Sequence, residues 1–163
     1  MNEHAPAIFQ ALEASSLGAA IRQSTWLYMT ANIGHILSLA IFAGAIAVMD
    51  LRMAGMFAAT SPGYILKTFR RVAMIGFAGL FLTGATLFIA EASHVILNPV
   101  FQFKLALIAL GLLNIAWFEY FTAPKLRKLK PLKPLPQEAR TAGLVSIAIW
   151  LLVAACGRTI AYF

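Results

Sequence analysis

The chain has 163 residues, 61% of them hydrophobic and only 12% charged, whereas a soluble domain carries about 25% charged residues. A formal net charge of +7 raises nucleic acid as a partner, but ten of the thirteen lysines and arginines sit in two short connections between apolar runs, which fits a membrane protein and not a groove reader. The single cysteine, Cys156, lies in an apolar run and reads as a small buried hydrophobe; one cysteine excludes an intramolecular disulfide and a cysteine-built zinc or iron–sulfur centre.

The chain opens MNEHAPAIFQ, without the basic start and early apolar core of a signal peptide. Residues 5–21 are mildly amphipathic, with Ile8, Phe9 and Leu12 on one side, and predict a short interfacial helix lying on the membrane surface. The run Trp26 to Met49 follows, 24 residues without Asp, Glu, Lys or Arg. About 20 such residues cross a hydrocarbon core of roughly 30 Å, so a first span is expected over residues 24–49, closed by Asp50-Leu-Arg52. Thr60-Ser-Pro-Gly63 reads as a turn. A second span is expected over residues 69–97, ended by Asn98-Pro99, and a third over residues 101–121, ended by Pro124. The basic, proline-rich KLRKLKPLKPLPQEAR is a loop, and a last span covers residues 141–160. The expectation is an all-α, single-domain integral membrane protein over residues 1–163, a four-helix up-and-down bundle with an N-terminal interfacial helix. The ten clustered cations mark the cytoplasmic side of a bacterial inner membrane and place both termini on the periplasmic side.

His35 stands in the middle of the first uncharged run. An imidazole at that depth is costly without a partner. Helical spacing sets Tyr28, Asn32, His35 and Ser38 in one polar stripe, continued by Leu39, Phe42 and Ile46, which should face the bundle interior. Two readings are open for it: an interhelical hydrogen-bond network, or an axial ligand to haem iron, a metal or a quinone contact. His94, one turn after Glu91, is the second candidate ligand. By helical rise His35 lies about 13 Å below the outer boundary and His94 roughly 5 Å, so a shared iron requires tilted helices. Arg22, Lys104 and Arg158 come from three outer helix ends; they either hold haem propionates or snorkel to the interface. Asn114, polar at mid-depth, should bond across helices, while Glu119 near the cytoplasmic end reads as solvated and Asp50 and Arg52 as anchors of the first span. The six methionines lack the clustering of a copper path, and no phosphate-cradling loop or Ser–His–acid arrangement is visible.

The pattern Arg22-x-Ser24-x-Trp26-x-Tyr28, Asn32-x-x-His35, Asp50-Leu-Arg52, Gly76-Phe77, Gly84 and Asn98-Pro99-x-Phe101-x-x-Lys104 resembles a group of small bacterial four-helix membrane proteins known as a domain of unknown function. More distantly it is similar to the copper-resistance D-type membrane domain and the HemJ-type protoporphyrinogen oxidase. The resemblance covers most of residues 20–122. It implies b-type haem, with His35 matching the first-helix histidine and Lys104 the helix-opening lysine. His94 and the Asn98-Pro99 break depart from the HemJ pattern, so porphyrinogen oxidation is not carried over.

Residues and resemblance together lead to an expectation of a haem b protein for electron transfer. His35 and His94 would be ligands, with Arg22, Tyr28, Asn32, Lys104 and Arg158 around the cofactor. Its partner would be a membrane or periplasmic redox protein or a quinone. The alternatives are a non-catalytic accessory or scaffold subunit of a larger membrane complex, and transport of copper or a small solute, against which stands the lack of paired interrupted helices.

Overall fold

Local chemistry sets the ends of the helices. In the computed structural model, which describes residues 4–162, the chain forms α1 (Ala7–Ala14), α2 (Ser16–Gln23), α3 (Thr25–Ala54), α4 (Pro62–Ala90), α5 (Ala92–Val95), α6 (Pro99–Trp117), α7 (Ala123–Leu126) and α8 (Gln137–Thr159). No strand occurs among the described residues. The Ser24 hydroxyl caps α3 by accepting the Leu27 N–H at 3.3 Å. Gly55, at φ +111°, ends α3 in the left-handed conformation that a side chain would resist. Asn98 accepts from the N–H groups of Val100 and Phe101, and Pro99 fills the first position of α6.

The first span runs on to Ala54 and the last starts at Gln137; four further expectations change, each for a physical reason. The second span begins at Pro62, not residue 69. A proline lacks only an N–H that the first turn leaves unused, and the residues beyond it, Ile65 and Leu66, are buried. Lys67, Arg70 and Arg71 therefore lie on the helix and not before it. The same span stops at Ala90, not 97, and α5 follows a break at Glu91. Pro124 does not end the third span: a π turn over Phe118–Thr122 carries the helix into α7. The wider turn leaves the proline ring room against the preceding carbonyls. The single interfacial helix expected over residues 5–21 is two helices. Ser15 caps α2 by accepting the Gly18 N–H at 3.1 Å, and both helices pack into the bundle, α1 against α5 and α2 against α3 and α4.

Helix α3 packs along α4 and along α8, and α8 packs along α6. Gly76 governs the first contact, since a Cβ there would stand 2.7 Å from the Phe42 backbone nitrogen, and small residues at a membrane helix crossing admit this approach. Phe42, Ala45, Ile46 and Ala73 form the buried centre between α3 and α4. Met53, Leu66, Leu126 and Ala139 close the end that carries the basic loops. Those loops are tied together, the Leu132 N–H donating to the Ala58 carbonyl at 3.0 Å. The seam between α4 and α6 is the loosest of the bundle. It is held by the stacked rings of Phe88 and Phe101 at one end, centroids 5.4 Å apart, and by the Arg70–Glu119 ion pair at the other.

The outer surface completes the fold class. Ile75, Phe81 and Leu151 are 69%, 68% and 66% exposed, and each such side chain forgoes about 1.5–3 kcal/mol if it faces water. Four helices, Thr25–Ala54, Pro62–Ala90, Pro99–Leu126 and Gln137–Thr159, are long and apolar enough to span a bilayer. The protein is a multi-pass, all-α membrane bundle.

Candidate functional site

The polar stripe of α3 meets α4 where small residues bring the helices together. Ser38 lies over Gly79, and Gly34 lies under the Thr83 methyl. His35 Nδ1 stands 2.9 Å from the Thr83 hydroxyl, and that hydroxyl also lies 2.6 Å from the Gly79 carbonyl one turn earlier. A hydroxyl has one proton. The closer carbonyl, which can only accept, takes it, so Nδ1–H of His35 donates to Thr83 and Nε2 carries the lone pair. This tautomer follows from the hydrogen-bond network. Nε2 has no hydrogen-bond partner among the described residues. Beside the ring, Gly84 has no side chain; a Cβ there would lie 3.2 Å from Cε1 of His35. The imidazole is thus fixed by α4 through one edge only.

The other expected site residues are spread out. Lys104 is half-buried, within electrostatic reach of His35, and its ammonium lies against Gly157 of α8. His94 is exposed on the four-residue α5. It follows Thr83 by eleven positions, about 16 Å at the helical rise, so it does not share the α3–α4 contact that holds His35. Tyr28 is exposed, and Asn32 donates to the Tyr28 carbonyl of its own helix at 3.2 Å. Arg158 reaches the Tyr162 hydroxyl at 2.8 Å and lies over that ring.

Arg22 has a different task from the one its position suggested. Its guanidinium donates to the Glu13 carbonyl at 2.8 Å and to the Ala90 carbonyl at 3.0 Å, satisfying the ends of α1 and α4. Next to it the buried Glu13 carboxylate accepts from both the N–H and the hydroxyl of Ser93, itself fully buried. Phe9 adds an edge-on contact to Phe88. The N-terminal helices thereby hold open the break at Glu91. Burial pushes the Glu13 carboxyl up, but the two Ser93 hydrogen bonds and the nearby Arg22 charge outweigh it and hold the group below its ordinary value. Nothing in the local pattern of residues 5–21 signals this, because the partner lies 80 positions away.

A second polar centre lies on the same face of α3, toward the basic loops. Asp50 is 8% exposed, and its Oδ2 is buried without a hydrogen-bond partner. Ser146 of α8, itself 4% exposed, lies in the same buried region. Arg52 is 1% exposed and donates through Nε to the Thr60 carbonyl at 3.1 Å, pinning the α3–α4 loop. Asn114 does bond across helices, donating to the Ala142 carbonyl of α8 at 3.1 Å. Glu119 is not simply solvated: it pairs with Arg70 and lies 3.9 Å from Arg127. Asp50, Arg70, Asn114, Glu119 and Ser146 line a cavity of about 470 Å³ bounded by α3, α4, α6 and α8. Sequence reasoning treated Asp50 as an anchor. Extending the stripe of Phe42 and Ile46 by one more turn would have placed it inward. Among the described residues no three His, Cys, Asp or Glu side chains gather as a metal site.

Residues 8–163 match a family of unknown function, DUF6644, and the chain belongs to that family. No curated protein and no solved structure matches it.

Proposed function

We propose that this member of the DUF6644 family is a b-type haem-binding protein of the bacterial cytoplasmic membrane that exchanges electrons with a redox partner. The observation that carries the reading is the His35–Thr83 pair. An imidazole inside the bilayer-spanning part of α3 keeps its Nε2 lone pair while a hydroxyl on the neighbouring helix fixes the ring. Metal-ligating histidines are held in this way through their other nitrogen, and imidazole nitrogen suits iron. The half-buried Lys104 is the base suited to a propionate. Arg22 is taken up by backbone carbonyls and Arg158 by Tyr162, and His94 is exposed, so the reading rests on one histidine and one lysine. A bound haem would supply a one-electron centre; the protein's part is to orient the imidazole and exclude water. The resemblance to HemJ-type proteins read from the sequence motifs would give His35 and Lys104 the same roles. The ten cations in the two tethered loops and the helix ends beside them favour a cytoplasmic placement of that end, with both termini periplasmic.

The test is the absorbance spectrum of protein purified from cells supplied with a haem precursor. A Soret band that shifts on reduction is expected, absent in His35→Ala and kept in His94→Ala. Thr83→Val should keep the band and shift its reduction potential, since it alters the ring's hydrogen bond and not the ligand. A colourless wild-type protein, or a band indifferent to His35, overturns the reading.

The same hydrogen bond favours one second reading, an accessory subunit in which His35 and Thr83 join two helices. In that case His35→Ala lowers thermal stability and leaves no spectral change to see.

A further inference from the structure

The cavity beside Asp50 is not part of the His35 site. Phe42 marks its nearer end, seven positions beyond His35, about 10 Å along α3. Its walls are apolar and partly aromatic, including Phe42, Phe77, Met74, Leu112 and Phe118. Its volume of about 470 Å³ lies within the roughly 300–1,000 Å³ range of small-molecule pockets. Met74 and Leu112 line the cavity and are also 58% and 42% exposed on the outer surface. The opening therefore runs through the loose α4–α6 seam into the region that lipid covers.

The polar groups narrow the ligand. Arg70 is committed to Glu119 and Asn114 donates to the Ala142 carbonyl, so neither cation nor amide stands ready for an anionic head. Of the acceptor atoms on the cavity wall, Oδ2 of Asp50, a residue more than nine-tenths buried, has no hydrogen-bond partner among the described residues. A carboxyl serves both members of a quinone–quinol pair: as the acid it donates to a ring carbonyl, and as the carboxylate it accepts from a ring hydroxyl. A bilayer-soluble molecule with such a ring matches the apolar walls, the lateral opening and the lone carboxyl together.

We propose that this cavity binds the ring of an isoprenoid quinone or quinol that enters between α4 and α6, with the head on Asp50 and Ser146. The site names the redox partner for the electron-transfer reading, but its test reads binding alone, so it stands or falls separately from haem.

Protein in quinone-free lipid nanodiscs, with the exposed Trp26 and Trp117 changed to Phe, leaves Trp150 as the reporter. Its ring lies 4.7 Å from that of Phe42 on the cavity wall. Titration with decylubiquinone, oxidised and reduced, should quench this emission saturably. Asp50→Leu should weaken binding roughly tenfold, the loss of one hydrogen bond to a charged or acidic group. Ala78→Phe, at an exposed position on the cavity rim, should abolish saturation while leaving the thermal melt unchanged. Oleate should not compete. Equal quenching in Ala78→Phe means partition into the bilayer and overturns the site. Loss in Ala78→Phe with Asp50→Leu unaffected overturns the assignment of the head group. Displacement by oleate at lower concentration than quinone makes the cavity a fatty-acid site and overturns the quinone assignment.

Discussion

Gly76→Val is expected to destabilise the protein by about 3 kcal/mol and to disrupt the His35 contact without touching it. The Cβ alone would meet the Phe42 backbone, 2.7 Å from N and 2.9 Å from Cα. Backbone atoms of a packed helix cannot rotate away as a side-chain end does, so α3 and α4 must separate. Thr83 lies two turns along the same face of α4, and its 2.9 Å approach to His35 depends on that crossing. Thermal unfolding in detergent should show the loss, and any spectrum due to His35 should fade with it. Gly44 supplies the control, because nothing lies within 4 Å of a Cβ there. Gly44→Ala should be neutral or slightly stabilising, as helix propensity predicts. Equal effects at the two glycines would show that the close crossing does not govern stability.

Glu13→Ala should cost a similar amount by another route. Ser93 is fully buried and places both its N–H and its hydroxyl on Glu13 Oε2. Truncation takes both bonds away at once, and a buried donor left unsatisfied costs about 1–3 kcal/mol. The break between α4 and α5 should loosen, visible as faster amide exchange at residues 91–98. The carboxyl also makes stability depend on pH. Its folded value lies below the ordinary 4.5, so its contribution is complete above 4.5 and is lost as pH falls through the lower folded value. Wild-type melting temperature should drop in that acid window. Glu13→Gln keeps an acceptor for Ser93 and should flatten this part of the profile. A wild-type profile identical to that of Glu13→Gln below pH 4.5 would rule out the linkage.

Both variants act on contacts that join distant parts of the chain, and this separates what was legible in the sequence from what was not. The run Trp26 to Met49 announces a span by itself, because bilayer thickness asks only for length and apolarity along one helix. The inward stripe through His35 and Phe42 and the cross-helix bond of Asn114 were legible for the same local reason, since a polar group in lipid must turn toward protein. The start of α4 at Pro62 and the passage of the third span beyond Pro124 were not. Proline and glycine were weighed there as breakers, while packing of Leu66 and Leu126 favours helix.

Which polar group meets which was decided only by the tertiary structure. Arg22 was grouped with Lys104 and Arg158 because the three share a level, yet the fold hands Arg22 to the carbonyls of Glu13 and Ala90. Glu13 finds Ser93 80 positions away, and Asp50 is left facing a cavity that exists only because α4 and α6 stand apart. Helical periodicity tells a residue which way to point along its own axis. The identity of the atom it then meets depends on the crossing of helices, which in this bundle is set by where glycine lets two backbones touch.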